Sequence, residues 1–413
     1  MKRVVVTGMG MISPLGNDVR SSWSALISGA SGIDRVTDFD TDGLNSKVAG
    51  QVRLAEDFPR RLSSKEARRN DPFIHFGLYA AGEALADSRW SPQTQEERER
   101  TGVVMGSGIG GFHTLVDGAV GHADQGARSI SPFFISAQLI NLAAGQIAIA
   151  NGFQGPNYGV VSACSTGSEA IINAARIIAL DEADVMVAGG ADAVVHPLAM
   201  AGFDRMRALS TAFNDRPSHA SRPFDRDRDG FVVADGAAAL ILESEDHARA
   251  RGARVYARLI GFASQSDAYH VSASHPDGAG EQLTLRNALR SASVEPADID
   301  YLNAHATSTP VGDAGELAAI RAVFGDGGGP AVSSTKSATG HTLGAAGAIE
   351  AIFTVLAVVE GTIPGMMNLE NPDPASAGID LVGPAARKAP VRIALSNSFG
   401  FGSTKSALIF AAP

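Results

Sequence analysis

Cys164 is the only cysteine of the chain, and it lies in the run Val161-Ser-Ala-Cys-Ser-Thr-Gly-Ser168, where a β-branched stretch meets small residues and then an apolar segment. A thiol at such a strand-to-helix turn faces the positive end of a helix dipole and unpaired amide donors, which stabilise a thiolate and lower its pKa. The run predicts a nucleophile; the plainer alternative is a small buried thiol packed as a hydrophobe. His305, in Leu302-Asn-Ala-His-Ala-Thr-Ser-Thr-Pro310, and His341, in Ser334-Thr-Lys-Ser-Ala-Thr-Gly-His341, sit among small neighbours that let a ligand reach the imidazole. Two imidazoles donating N–H bonds to one developing oxyanion would stabilise an enolate without a metal. A zinc centre competes with this reading, but one cysteine and no close histidine pair leave it without a ligand set.

Residues of this kind need rigid elements behind them. Short apolar, strand-like runs, most of them ending in glycine, recur at Arg3 to Gly10, Gly102 to Gly108, Asp184 to Gly190, Ala237 to Leu242, Tyr256 to Gly261 and Val391 to Ser396. Alanine-rich segments long enough for helices lie between them, such as Asp71 to Ser88 and Ser165 to Leu180. The alternation predicts a layered α/β protein. The segment after Cys164 is apolar on nearly every side, so a helix there belongs in the interior, with layers on both flanks. The charged connector Asp246 to Arg254 predicts a boundary between two halves, residues 1–252 and 253–413.

With 413 residues, 45% of them apolar and 19% charged, the chain is globular rather than disordered. Its net charge of −10 argues against a broad grip on nucleic-acid phosphates. One cysteine rules out an internal disulfide and fits a reducing compartment. After Met1-Lys2-Arg3 the apolar stretch is interrupted by Thr7, Gly8 and Gly10, unlike a signal peptide, and the apolar run Ala351 to Val359 is about half the length a bilayer requires. These features predict a cytoplasmic protein with no membrane partner.

Two motifs mislead. Gly106-Ser-Gly-Ile-Gly-Gly111 formally matches a dinucleotide-binding turn, yet no strand with an acidic end follows about twenty residues on, so close backbone packing beneath a pocket is the better reading. Asp225-Arg-Asp-Arg-Asp-Gly230 matches the first half of a calcium loop, but Gly236 stands where the bidentate glutamate belongs. Arg226 and Arg228 between the aspartates predict a salt-bridged structural loop instead.

Five stretches in order, Ser162-Ala-Cys-Ser-Thr-Gly167, Arg222-Pro-Phe-Asp-Arg-Asp-Arg-Asp-Gly230, Asn303-Ala-His-Ala-Thr-Ser-Thr-Pro-Val-Gly-Asp313, Lys336-Ser-Ala-Thr-Gly-His341 and Asn397-Ser-Phe-Gly-Phe-Gly402, resemble the β-ketoacyl-[acyl-carrier-protein] synthases, nearest the elongating synthase II type. The resemblance runs from Val4 to Phe410. It implies the thiolase fold, two similar α/β halves in five αβαβα layers, and a homodimer. It also implies a 3-oxoacyl-[acyl-carrier-protein] synthase of type II fatty acid synthesis, in which Cys164 takes an acyl chain as a thioester and the enolate left by decarboxylation of malonyl carrier protein attacks it.

By the same resemblance His305 and His341 are the oxyanion donors, Lys336 and Glu350 support them, and Phe401 is a gate in a loop hinged by Gly400 and Gly402. The backbone N–H groups of Cys164 and Phe401 form a second oxyanion hole. Ile109 lies at the base of the acyl pocket, Phe399 and Gly402 adjoin the substrate, and Ser272, Thr307 and Thr309 face the phosphopantetheine arm. That arm arrives on the carrier protein, so no resident cofactor or metal is implied. Lys65, Arg68, Arg69, Arg128 and Arg207 match basic carrier-docking positions, the first three on one helix face.

Ala306, Ser403 and Lys405 depart from the family's usual glycine, glycine and asparagine. They leave open an α-type ketosynthase of a polyketide or polyene pathway, paired with a chain-length-factor homologue. A non-catalytic carrier-binding subunit fits less well with Cys164, His305 and His341 all present, and a thiolase would need a second cysteine.

Overall fold

The computed structural model describes residues 2–54 and 69–413. In chain order the elements of the first half that recur in the second are β1 (Val4–Ile12), α1 (Pro72–Ser88), β2 (Thr101–Gly106), α2 (Asn141–Asn151), β3 (Asn157–Tyr158), α3 (Thr166–Ala179), β4 (Val185–Asp192) and β5 (Gly236–Ser244). The second half repeats that order with β6 (Ala257–Ser266), α4 (Ala279–Ala292), β7 (Tyr301–Asn303), α5 (Pro310–Phe324), β8 (Ala331–Ser333), α6 (Ala346–Glu360), β9 (Ile393–Gly400) and β10 (Thr404–Ala411).

The ten strands run β8-β7-β9-β10-β6-β1-β5-β4-β2-β3, which is one five-strand order used twice and joined back to back. In each copy four strands point the same way and one, β5 or β10, runs antiparallel to both of its neighbours. The parallel neighbours are linked by helices, as crossovers require. The copies meet through only three residue pairs, Val4–Val6 against Ala257–Leu259. Helices α3 and α6 pack on each other between the two copies, α1 and α2 cover the outer face of the first, and α4 and α5 that of the second. This gives the five layers and two similar halves of the thiolase arrangement.

Local chemistry explains the boundaries. Asp71 caps α1 by accepting the Phe73 N–H, and Pro72 opens the helix at the position where its missing N–H costs nothing. Eleven of the fourteen residues of α3 are buried, as expected of a helix apolar on nearly every side. The span Leu343–Glu360 is long and apolar enough to cross a bilayer, but 89% of it is buried inside the protein, so it is a core helix. β9 runs four residues past the predicted end at Ser396 because Asn397–Gly400 pair with Thr404–Ala407 of β10. Residues 401–403 are therefore a hairpin turn.

Candidate active site

Cys164 is the middle residue of a 3₁₀ turn, Ala163–Ser165, that leads into α3. Ala163 holds φ +50, a left-handed conformation costly for a residue with a Cβ. The turn keeps it because Ser162 O accepts the Ser165 N–H at 3.1 Å and the Thr404 hydroxyl at 3.0 Å, which locks it to the β9–β10 hairpin. The same turn recurs before α6, where Leu343 holds φ +49 and Gly344 stands in the cysteine's place.

His305 lies two residues beyond β7. The Glu316 carboxylate on α5 accepts the N–H groups of His305 (3.0 Å) and Ala306 (2.7 Å) and the side-chain amide of Asn397 (3.0 Å). His341 is fixed from the other side: its N–H donates to Val232 O at 2.7 Å and its carbonyl accepts the Ala234 N–H at 2.9 Å. The two rings meet edge to face, with centroids 5.3 Å apart, and are backed by aromatic rings, Phe399 for His305 and Phe231 for His341. Neither ring nitrogen of His341, nor Nδ1 of His305, has a hydrogen-bond partner among the described residues. Packing orients these rings and leaves polar edges for a ligand.

Cys164, His305 and His341 line one cavity of about 640 Å³. Ile109, Ser272, Thr307, Thr309, Phe399 and Phe401 line it as well, and exposed Arg207 stands among its wall residues. Thr307 and Thr309 hydroxyls lie 3.2 Å apart. Phe401 is 38% exposed, and its backbone N–H acts to lower the pKa of the Cys164 thiol. Gly402, with φ +78 and its N–H bonded to Val271 O at 2.7 Å, is outside the lining. Gly400 is not a hinge: it is a buried strand residue, and a Cβ there would fall 2.6 Å from Ser162 O and 3.1 Å from the Cys164 nitrogen. Close approach to the nucleophile turn is what requires glycine.

Lys336 and Glu350 form a buried ion pair outside the lining. Burial pushes the Glu350 carboxyl up to about 7 against the pull of Lys336. Burial first and the Lys336 charge second hold both imidazoles well below the ordinary histidine range, with His341 and Lys405 adding to the effect on His305. Both rings are neutral. The thiol corrects the sequence expectation: burial pushes Cys164 up to about 12, and Asp192 and Glu350 reinforce this against Lys336 and the Phe401 N–H. A helix end offers about half a charge, which does not offset removal of a thiolate from water. Cys164 rests as a thiol.

Of the basic positions, Lys65 and Arg68 lie outside the described residues. Arg69 is half-buried, with its guanidinium 4.5 Å from the centre of the Phe133 ring, and Arg128 is exposed on the turn Ala127–Ser129, off the cavity. Ser403 adopts φ +67 and donates its hydroxyl to His270 O at 3.1 Å. Lys405 is buried, 3.0 Å from Asp267 and 3.7 Å from Glu281. The calcium-like loop is salt-bridged: Arg222 pairs with Asp225 at 3.0 Å, and Arg228 with Asp373 at 2.7 Å and Asp313 at 3.7 Å. Sequence reasoning passed over Glu316; its one signal is the i, i+3 spacing from Asp313, which puts both acids on the buried face of α5.

Comparison with known proteins agrees with this geometry. The family model described as "Beta-ketoacyl synthase, N-terminal domain" matches residues 1–248, and "Beta-ketoacyl synthase, C-terminal domain" matches residues 256–370. The chain is 48% identical to 3-oxoacyl-[acyl-carrier-protein] synthase 2 of Rhizobium meliloti, over 99% of this chain and 98% of that one. Among solved structures it is similar to AntDE:AntF, a type II PKS acyl-carrier protein in complex with its ketosynthase bound to the hexaketide (TM-score 0.92, 30% identity, covering 100% and 99% of the two chains). It is also similar to the ishigamide ketosynthase/chain length factor (TM-score 0.90, 31% identity, covering 100% and 99%).

Proposed function

Since the chain belongs to the beta-ketoacyl synthase family, we propose that Cys164, His305 and His341 carry out its reaction in the cavity they share. The protein is a 3-oxoacyl-[acyl-carrier-protein] synthase-type condensing enzyme acting on acyl and malonyl carrier proteins. The observation that carries the residue roles is one cavity shared by the Cys164 thiol and two imidazoles, in which neither nitrogen of His341 nor Nδ1 of His305 has a hydrogen-bond partner among the described residues.

In the first half-reaction the Cys164 sulfur attacks the acyl thioester carbonyl. Its proton passes through a neutral imidazole to the departing phosphopantetheine sulfur, which leaves as a free thiol. The Phe401 and Cys164 N–H groups receive the carbonyl oxygen as it becomes an oxyanion. In the second, the malonyl C–C bond breaks and releases CO2, and the electron pair is delocalised onto the thioester oxygen, where His305 and His341 donate N–H bonds. The enolate carbon then bonds to the acyl carbonyl, the C–S bond to Cys164 breaks, and the thiolate takes up one proton. The product is a 3-oxoacyl thioester two carbons longer.

Lys336, paired with Glu350, supplies the field that keeps the imidazoles neutral. Phe401 gates the cavity, Ile109 sets its acyl end, Phe399 backs His305, and Gly402 lets the gate turn form. Ser272, Thr307 and Thr309 bond the phosphopantetheine arm, and Lys65, Arg68, Arg69, Arg128 and Arg207 meet the acidic carrier protein. No resident cofactor or metal takes part. We assign the protein to the cytoplasm and to type II fatty acid synthesis as a homodimer, its halves divided at residues 252 and 253. A pairing with a chain-length-factor homologue is the second reading. The similarity to the solved ishigamide ketosynthase/chain length factor favours it.

The deciding experiment is intact-mass detection of the acyl-enzyme after incubation with acyl carrier proteins, for wild type and Cys164→Ala, beside a condensation assay. The expected result is an acyl adduct and condensation in wild type only. Condensation by Cys164→Ala removes the proposed nucleophile, and co-purification of a homologous chain selects the heterodimer.

A further inference from the structure

Asp192 is the last residue of β4 and is completely buried. Its carboxylate accepts the N–H of Gly344 at 2.6 Å, of Gly108 at 3.0 Å and of Ile109 at 3.4 Å, together with the Ser107 hydroxyl. The donors come from both halves: the 107–109 segment follows β2, and Gly344 belongs to the turn before α6. The packing around the carboxylate is tight. A Cβ on Gly344 would lie 2.3 Å from the Gly108 nitrogen and 2.7 Å from the carboxylate, and one on Gly108 would lie 3.0 Å from it.

The doubled fold gives this cluster a twin. β4 ends at Asp192 against the Gly344 nitrogen, and β9 ends at Gly400 against the Cys164 nitrogen, with the left-handed residues Leu343 and Ala163 at equivalent places. Both turns bring a backbone nitrogen close to the end of a strand of the opposite half. At Cys164 the strand ends in glycine and the donor is left for substrate. At Gly344 the strand ends in aspartate and the protein fills the hole with its own anion.

We propose that Asp192 is a positioning residue that fastens the Ile109 end of the acyl pocket to the Gly344 turn, and so sets how long an acyl chain can seat on Cys164. The inference rests on the condensing-enzyme reading above. His341, three residues before Gly344, is anchored independently to Val232 and Ala234. Loosening the Asp192 cluster therefore moves the pocket end and leaves the imidazole pair in place. A long chain reaches the displaced Ile109, and a short one does not.

The test uses the full chain with Asp192→Ala, Asp192→Asn and Ser107→Ala, the last removing one donor only. Acylation of Cys164 is timed by intact mass with saturated acyl carrier proteins from short to long, beside CO2 release from malonyl carrier protein and near-ultraviolet circular dichroism. In Asp192→Ala, long-chain acylation should fall about 10²-fold, the scale of a small misplacement. Because Asp192 also bears on the Cys164 thiol, that fall is read relative to short-chain acylation, which carries any effect common to all lengths. CO2 release should stay near wild type, and Asp192→Asn and Ser107→Ala should shift the chain-length profile the same way by less. An unchanged profile, or an equal loss at every length and in CO2 release, overturns the proposal. If Asp192→Ala does not fold, the other two variants decide. A wild type that forms no acyl-enzyme defeats the condensing reading itself, which separates the two failures.

Discussion

The ring of His305 stands edge-on to that of His341, at 84° with centroids 5.3 Å apart, although the two are anchored on opposite sides, one by Glu316 and the other by Val232 and Ala234. In the proposed mechanism each ring contributes a separate donor to one oxyanion. His305→Ala or His341→Ala should lower CO2 release from malonyl carrier protein by about 10²–10³-fold, the usual effect of losing one oxyanion donor. Because burial and Lys336 keep both rings neutral, the wild-type rate should show no break near a histidine value of about 6.5 as the pH falls. A radiolabelled CO2 assay across pH measures both.

Cys164 is held as a thiol up to about 12 by burial, so its thiolate fraction is small at neutral pH and grows as pH rises. Alkylation by iodoacetamide should climb about tenfold per unit from about pH 7 to pH 10 without levelling. A plateau below about pH 8.5 would show that the helix dipole prevails after all.

Lys336 and Glu350 are both buried and paired. Glu350→Gln strands the ammonium and should cost about 3–5 kcal/mol, read from urea denaturation. Lys336→Met with Glu350→Leu should restore most of that stability. Decarboxylation should remain impaired, because the Lys336 charge acts on both imidazoles.

Ser403→Gly relieves a left-handed conformation worth about 1–2 kcal/mol and forfeits a hydroxyl bond to His270 O worth about 1 kcal/mol. The melting temperature should barely change. Hydrogen exchange at the Gly402 amide, bonded to Val271 O next to that hydroxyl bond, should quicken. Slower exchange would show that serine does not restrain the gate.

The patterns that could be read in the residues are local ones. Asp71 and Pro72 announce α1, and the small residues around Cys164 announce a turn into an interior helix. Glu316 and Asp192 could not be read this way, because their partners are mostly backbone N–H groups that only the finished fold brings near. The direction of the Cys164 pKa shift escapes the sequence for the same reason: a dipole argument uses neighbours in sequence, whereas burial is set by both halves. The doubling, which the family resemblance implies, is not visible in the residues themselves because it lives in element order, with Gly344 where the other copy has Cys164 and Asp192 where the other has Gly400.

The sulfur comes from one copy of the unit, while both imidazoles come from the other. Cut between residues 250 and 256, the chain would yield two fragments that are each catalytically mute. Activity regained on mixing them would report the docking of α3 against α6, making fragment complementation a direct gauge of how tightly the central layer holds.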